Sequence, residues 1–180
     1  MASLLLKTVV RTIFFCTGRN RVRKQIIKAQ AFYNSMAKTL SAETGAMPVQ
    51  VPAMPGVDEN MRNWSYYQLL EHNRLVNEAI TATTEQLAKG GPLSGAATID
   101  PATDVLPSAD AEILELARFN DSVDEHLRVV ESLPKLRNTP TSLHPIFGSF
   151  NAHSWNCMFA FHLRIHLRQA KTIVSRLSTE

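Results

Sequence analysis

The residues best suited to chemistry are two histidines, His162 and His166, in the segment W-N-C-M-F-A-F-H-L-R-I-H-L-R-Q over residues 155–169. A helix turns about 100° per residue, so Trp155, Phe159, His162, His166, Gln169, Ile173 and Leu177 share one face. Arg164, Arg168 and Lys171 fall on the other side. Both imidazoles therefore project side by side from an apolar stripe that must face a core. A buried imidazole without a partner is destabilising, and two neighbouring imidazolium ions repel. One divalent cation relieves both costs, because neutral imidazole is a good ligand for zinc, nickel, copper or iron. Zinc or nickel is the leading expectation, with iron or manganese behind them.

His72 is the third expected ligand. On a helical wheel its neighbours are Ser65, Gln68, Leu69, Leu75, Val76, Ala79 and Thr83, a stripe of apolar and small residues. If that face meets the helix carrying His162 and His166, three imidazoles converge. The competing reading is a set of core histidines satisfied by hydrogen bonds, since an H-x-x-x-H pair also arises by chance.

Other polar residues have weaker claims. His144, in the connector H-P-I-F-G, reads as a turn-forming residue before it reads as a substrate contact. His153 is expected to face solvent and His126 to lie on the surface. Asn120 and Asp124, on the rim of a third helix (Ile113, Leu116, Val123, Leu127, Val130), are candidates to orient a ligand ring. Glu71 points about 100° away from His72 and is a general base only if the pocket wraps round. The H-E-x-x-H protease pattern is absent.

Four long helices must position these residues, and no strand pattern stands out. The first spans about 20–42, preceded by a short helix over 3–16, with Gly18 and Asn20 at the break. Residues 43–63 read as a linker. The second helix starts at the capping box Ser65-x-x-Gln68, flanked by a Trp64/Leu69 staple, and runs to Lys89 before Gly90 and Gly91. A flexible loop covers 90–108. The third helix spans about 109–132, with Ser108 as N-cap and Pro134 beyond it. The connector 134–150 leads to a fourth helix from Asn151 to about Leu177, with a second staple from Phe150 and Trp155. The fold class is all-α, a four-helix bundle with an additional N-terminal helical segment, in one domain over 1–180.

The chain has 180 residues and 44% hydrophobic content, enough for a real core. Its net charge of +3 is unevenly placed. The first acid is Glu43, preceded by Lys7, Arg11, Arg19, Arg21, Arg23, Lys24, Lys28 and Lys38. No aromatic interleaving accompanies this basic third, so nucleic acid is not expected as a partner. The stretch 3–17 is too short and too charged for a membrane span, and its charges are misplaced for a signal peptide. It reads as a helix packing its apolar side on the domain, with an anionic membrane surface or a transit peptide as competing readings. Cys16 and Cys157 read as free thiols of a reducing, cytoplasmic compartment.

Three segments resemble the DinB-like superfamily. N-W-S-Y-Y-Q-L-L-E-H (63–72) resembles the W-S-x-x-x-x-L-x-H opening of its second helix. H-P-I-F-G-S-F-N-A-H-S-W (144–155) resembles the H-P-x-F-G lead-in of one branch, and F-H-L-R-I-H-L-R-Q (161–169) resembles that branch's H-x-x-x-H-L-R-Q helix. The likeness covers about residues 63–177. It implies a four-helix bundle holding a divalent metal on three histidines, at positions that map to His72, His162 and His166. It also implies a metal-dependent hydrolase, isomerase or thiol-dependent transferase with an unidentified small-molecule substrate, in a family whose members often dimerise. A non-catalytic bundle with a structural metal or histidine cluster, working through a binding partner, is the alternative.

Overall fold

The start of the second long helix is set locally. Ser65 Oγ accepts from the Gln68 amide (3.1 Å), while Gln68 Oε1 accepts from the Ser65 amide (2.9 Å). This reciprocal cap satisfies two donors that a helix N-terminus leaves open. The helix ends at Lys89, beyond which Gly90 takes a positive φ of 73°. The last long helix opens in the same manner. Asn151 Oδ1 accepts from the Ser154 amide, and the Phe150 and Trp155 rings pack edge to face across the cap at 5.6 Å.

The computed structural model describes residues 4–90 and 104–178. Among them are six α-helices: α1 Leu4–Cys16, α2 Arg19–Ala37, α3 Ala42–Ala46, α4 Tyr66–Ala88, α5 Leu114–Ser132 and α6 Ala152–Leu177. The largely helical class expected from sequence holds. Helix α4 packs against both α5 and α6, and α2 lies across α6 and α5. Two tyrosines tie these layers together: Tyr66 donates to the Tyr33 carbonyl (2.6 Å), and Tyr33 donates to the Leu163 carbonyl (3.0 Å). These are buried donors, and each has its acceptor.

Several boundaries differ from the sequence reading. The first long helix stops at Ala37, and Ser41 starts the separate short helix α3 through its own capping box with Thr44. Helix α5 begins at Leu114. Ser108 is not its cap: the Ser108 Oγ accepts from Asp110, and the Ser108 amide donates to Glu71.

The absence of strands was also a wrong expectation. Short antiparallel pairs join β1 Val49–Gln50 to β2 Asn63–Trp64, and β3 Thr141–His144 to β4 Gly148–Asn151. Segments this short give no period to read, and the prolines beside them mask the signal. Most of the expected loop 90–108 lies outside the described residues.

Helix α1 docks on α6 by a narrow stripe, Val10 and Phe14, each 4% exposed. Phe14 packs against Phe150 and Phe161. The carbonyls at its C-terminal end are held from below. Arg137 donates to the Phe15 and Thr17 carbonyls, and His153 Nε2 sits 3.1 Å from the Phe14 carbonyl. The sequence reading of α1 as a docked helix is thus met by one stripe only, because its other apolar residues face outward.

Candidate metal centre

Helix α4 carries His72, and α6 carries His162 and His166 one turn apart. Each offers one ring nitrogen to a group whose ligand atoms all lie within 4.8 Å of one another. Ring centroids are 5.2 Å apart for His72–His162, 4.7 Å for His72–His166 and 4.5 Å for His162–His166. His72 and His166 are buried, and His162 is half-buried. The structure therefore brings together the three histidines expected from sequence.

Hydrogen bonds fix which nitrogen His72 and His166 present. His72 Nδ1 lies 2.8 Å from the Val105 carbonyl, which can only accept. Nδ1 must carry the proton, so Nε2 keeps its lone pair. That Nε2 is buried with no hydrogen-bond partner, as is His162 Nδ1. His166 is set through Gln169. The Gln169 amide nitrogen donates to the Met61 carbonyl (2.6 Å), which leaves Oε1 to accept from His166 Nδ1 at 2.9 Å. His166 Nε2 is then the lone-pair nitrogen. Ligand rings anchored through the far nitrogen to a carbonyl or an amide are typical of metal sites, because the anchor fixes both tautomer and ring orientation.

The electrostatics favour ligands over charges. Burial and the neighbouring rings drive His162 well below its ordinary value, and His166 falls to about 3 for the same reasons. Burial also lowers His72, against the raising effect of its bond to Val105. All three rings are neutral at neutral pH, the state in which imidazole binds a metal. Three neutral rings, two of them with a buried nitrogen that has no partner, form a donor set that fits a divalent ion.

The route by which His72 reaches the site differs from the expected wheel. The buried arc of α4 runs through Asn73, Asn77, Ile80, Thr84 and Leu87, while Leu75, Val76, Ala79 and Thr83 are half-buried. His72 stands on the edge of this arc. It is buried because Trp64 lies over it, with ring centroids 5.0 Å apart, and because the chain at Val105 closes its Nδ1 side.

Two histidines expected at the surface are in the interior. His126 is 0% exposed and stacks on Phe159 at 3.7 Å. Its Nδ1 meets Thr81 Oγ1 at 2.9 Å, and its Nε2 meets Asn156 Oδ1 at 3.1 Å. The apolar residues of α5 mislead here, since the inward arc also carries Glu115, Ser122 and His126. Glu115 is neutralised there by Arg74 and Arg118. His153 is 3% exposed because α1 and Arg137 cover it.

The expected orienting residues are engaged elsewhere. Asn120 pairs with Asn34, and Asp124 accepts from Gln30. The anchors actually present, the Val105 carbonyl and Gln169, were missed. Gln169 was visible as a polar residue on the buried stripe of α6, but its partner is Met61, 108 positions away. Glu71 is tied to Arg74 and to the Ser108 amide. His144 behaves as a turn residue, its Nδ1 accepting from the Ile146 and Phe147 amides. Cys16 and Cys157 are free thiols.

Two surface clefts lie away from the triad. One is lined by Arg19, Asn20, Arg23, Leu127, Val130, Glu131 and Asn156, the other by Arg74, Glu78, Arg118, Asp121, Ser122 and Glu125. Comparison with known proteins finds no matching family model, no matching curated protein and no matching solved structure.

Proposed function

We propose that this chain is a DinB-like divalent-metal protein in which His72, His162 and His166 hold one ion, zinc or nickel before iron or manganese. We further propose that it works as a metal-dependent hydrolase or thiol-dependent transferase on a small molecule. The observation that carries the metal reading is the pair of buried nitrogens without partners, His72 Nε2 and His162 Nδ1, inside a cluster of three neutral imidazoles. A divalent ion held by three protein ligands keeps open positions and supplies a Lewis acid able to activate water or a thiol or to polarise a carbonyl. The resemblance of the segments 63–72, 144–155 and 161–169 to DinB-like proteins supports the class of chemistry and the four-helix frame.

The chain's own residues do three things at this site. Val105 and Gln169 hold the His72 and His166 rings so that their Nε2 atoms point inward. Trp64 covers His72 and keeps water from that flank. His162, the half-buried member, is the flank of the triad that lies nearest to solvent.

Elemental analysis of purified protein beside His162→Ala/His166→Ala tests the assignment. One equivalent of metal in the parent and none in the variant is the expected result. Equal metal content in both overturns it.

A second reading is a structural ion in a non-catalytic partner-binding protein. It is favoured by the burial of two of the three rings, since His72 and His166 are each 2% exposed. Small anions such as azide binding to the cobalt-substituted protein and altering its visible spectrum would favour the catalytic reading. An unresponsive spectrum would favour the structural one.

A further inference from the structure

The cleft where α2 begins and α5 ends gathers hydrogen-bond donors that the described residues leave unused. Arg19, Asn20 and Arg23 line it from α2, Leu127 and Val130 from α5, and Asn156 from α6. Its volume is about 270 Å³, below the roughly 300–1,000 Å³ of sites for drug-sized molecules, so its occupant is small. None of the three clustered histidines lines it.

Two of its donors are buried and idle. Asn156 is 2% exposed. Its Oδ1 is turned to His126 Nε2 at 3.1 Å, a core ring that is no part of the cleft wall, and its Nδ2 is left without a partner. Arg19 is fixed through Nη1, which donates to the Leu133 carbonyl at the end of α5 (3.0 Å). Its Nη2 is likewise buried and unpartnered. A buried donor without an acceptor is costly, and a charged one more so. Both costs fall at one cleft.

Helix α2 adds to them. Gly18 at its N-cap has no side chain to offer, so the amides of the first turn lack a side-chain acceptor. A helix of nineteen residues presents a positive end there. Arg19 and Arg23, at i and i+4, project from the same face of that helix, and Arg23 is exposed. The one acid on the wall, Glu131, forms an ion pair with neither arginine. Open amides, two guanidinium groups and a dry amide nitrogen call for an oxyanion. The donors come from two separate helices, which suits the tetrahedrally spread oxygens of a phosphate better than the two coplanar oxygens of a carboxylate. Leu127 and Val130 make part of the wall apolar, which suits a phosphate carried on a small organic body.

We propose that this cleft binds a small organic phosphate. The phosphate group sits at the open N-terminus of α2 and accepts from Arg19 Nη2, Asn156 Nδ2 and Arg23. The organic part lies against Leu127 and Val130.

NMR titration of the full, isotope-labelled chain with glycerol phosphate tests this, with glycerate and inorganic phosphate as comparisons. Saturable shifts are expected at the Asn156 side-chain amide and at the backbone amides of Arg19 and Asn20. Glycerol phosphate should bind about tenfold more tightly than glycerate, as the loss of one or two charge-assisted hydrogen bonds requires. Asn156→Ala should weaken binding by about tenfold or more for the same reason. Should that variant misfold, Arg23→Glu replaces it: it changes an exposed position, and it should abolish binding while the rest of the spectrum is retained. Four results overturn the proposal. They are shifts that never saturate, shifts confined to the surroundings of His72, His162 and His166, which would put the phosphate on a metal there, equal affinity for glycerate, and binding that Arg23→Glu leaves unchanged. Equal affinity for inorganic phosphate removes Leu127 and Val130 from the site and overturns the organic ligand.

Discussion

Gln169 Oε1 accepts from His166 Nδ1 at 2.9 Å, and this one contact decides which nitrogen of His166 faces the other two histidines. The glutamine can play this part because its amide nitrogen is already committed to the Met61 carbonyl. A chain segment far from α6 thereby sets the tautomer of a ligand on α6.

Gln169→Leu should therefore weaken metal binding more than it disturbs the fold. Loss of an anchor of this kind costs about 10–100-fold in metal affinity. Leaving the Met61 carbonyl without its donor costs roughly 1–3 kcal/mol of stability. Chelator competition gives the first number and urea unfolding of the metal-free protein gives the second. Unchanged affinity would remove Gln169 from the site.

His126 should make the metal-free protein sensitive to acid. Burial pushes this ring down to about 4, while in the unfolded chain it titrates at its ordinary value near 6.5. Between those values the unfolded state binds the extra proton, so stability falls as pH falls and the loss is complete below the folded value. The slope from this ring approaches about 1.4 kcal/mol per pH unit. Urea titrations across that window on the parent and on His126→Leu should show a shallower acid slope in the variant, alongside a lower stability at neutral pH from the stranded Asn156 and Thr81. An unchanged slope would mean that another group carries the effect.

Arg137→Gln should loosen α1 without touching the triad. The guanidinium holds the Phe15 and Thr17 carbonyls and lies over the Phe15 ring at 5.4 Å. Amide exchange over residues 4–16 should accelerate, while metal content stays the same. Equal exchange in both proteins would show that the Phe14 wedge alone holds the helix.

Gly45→Ala should be a steric lesion. A Cβ at Gly45 would overlap the Tyr67 ring at Cζ. Overpacking of this kind costs roughly 1–3 kcal/mol. The melting temperature should drop, and a transition equal to the parent's would mean that Tyr67 swings aside at no cost.

The sequence by itself determined the helical class, the caps at Ser65 and Asn151, the break at Gly18 and the paired inward faces of His162 and His166. These are local properties: each cap spans four residues, Ser65–Gln68 and Asn151–Ser154, and an i, i+4 pair lies on one face wherever the helix goes. Only the tertiary structure decided that His72 joins them from the edge of its arc, under Trp64 and beside Val105. It also decided that His126 and His153 are interior, and that Gln169 works through Met61. Burial depends on what arrives from elsewhere in the chain, and α5 is covered by several helices at once, so its polar residues cannot be sorted on a single wheel. The docking of α1 through Val10 and Phe14 alone belongs to the same class of fact, because a run of apolar residues does not say which of its sides finds a partner.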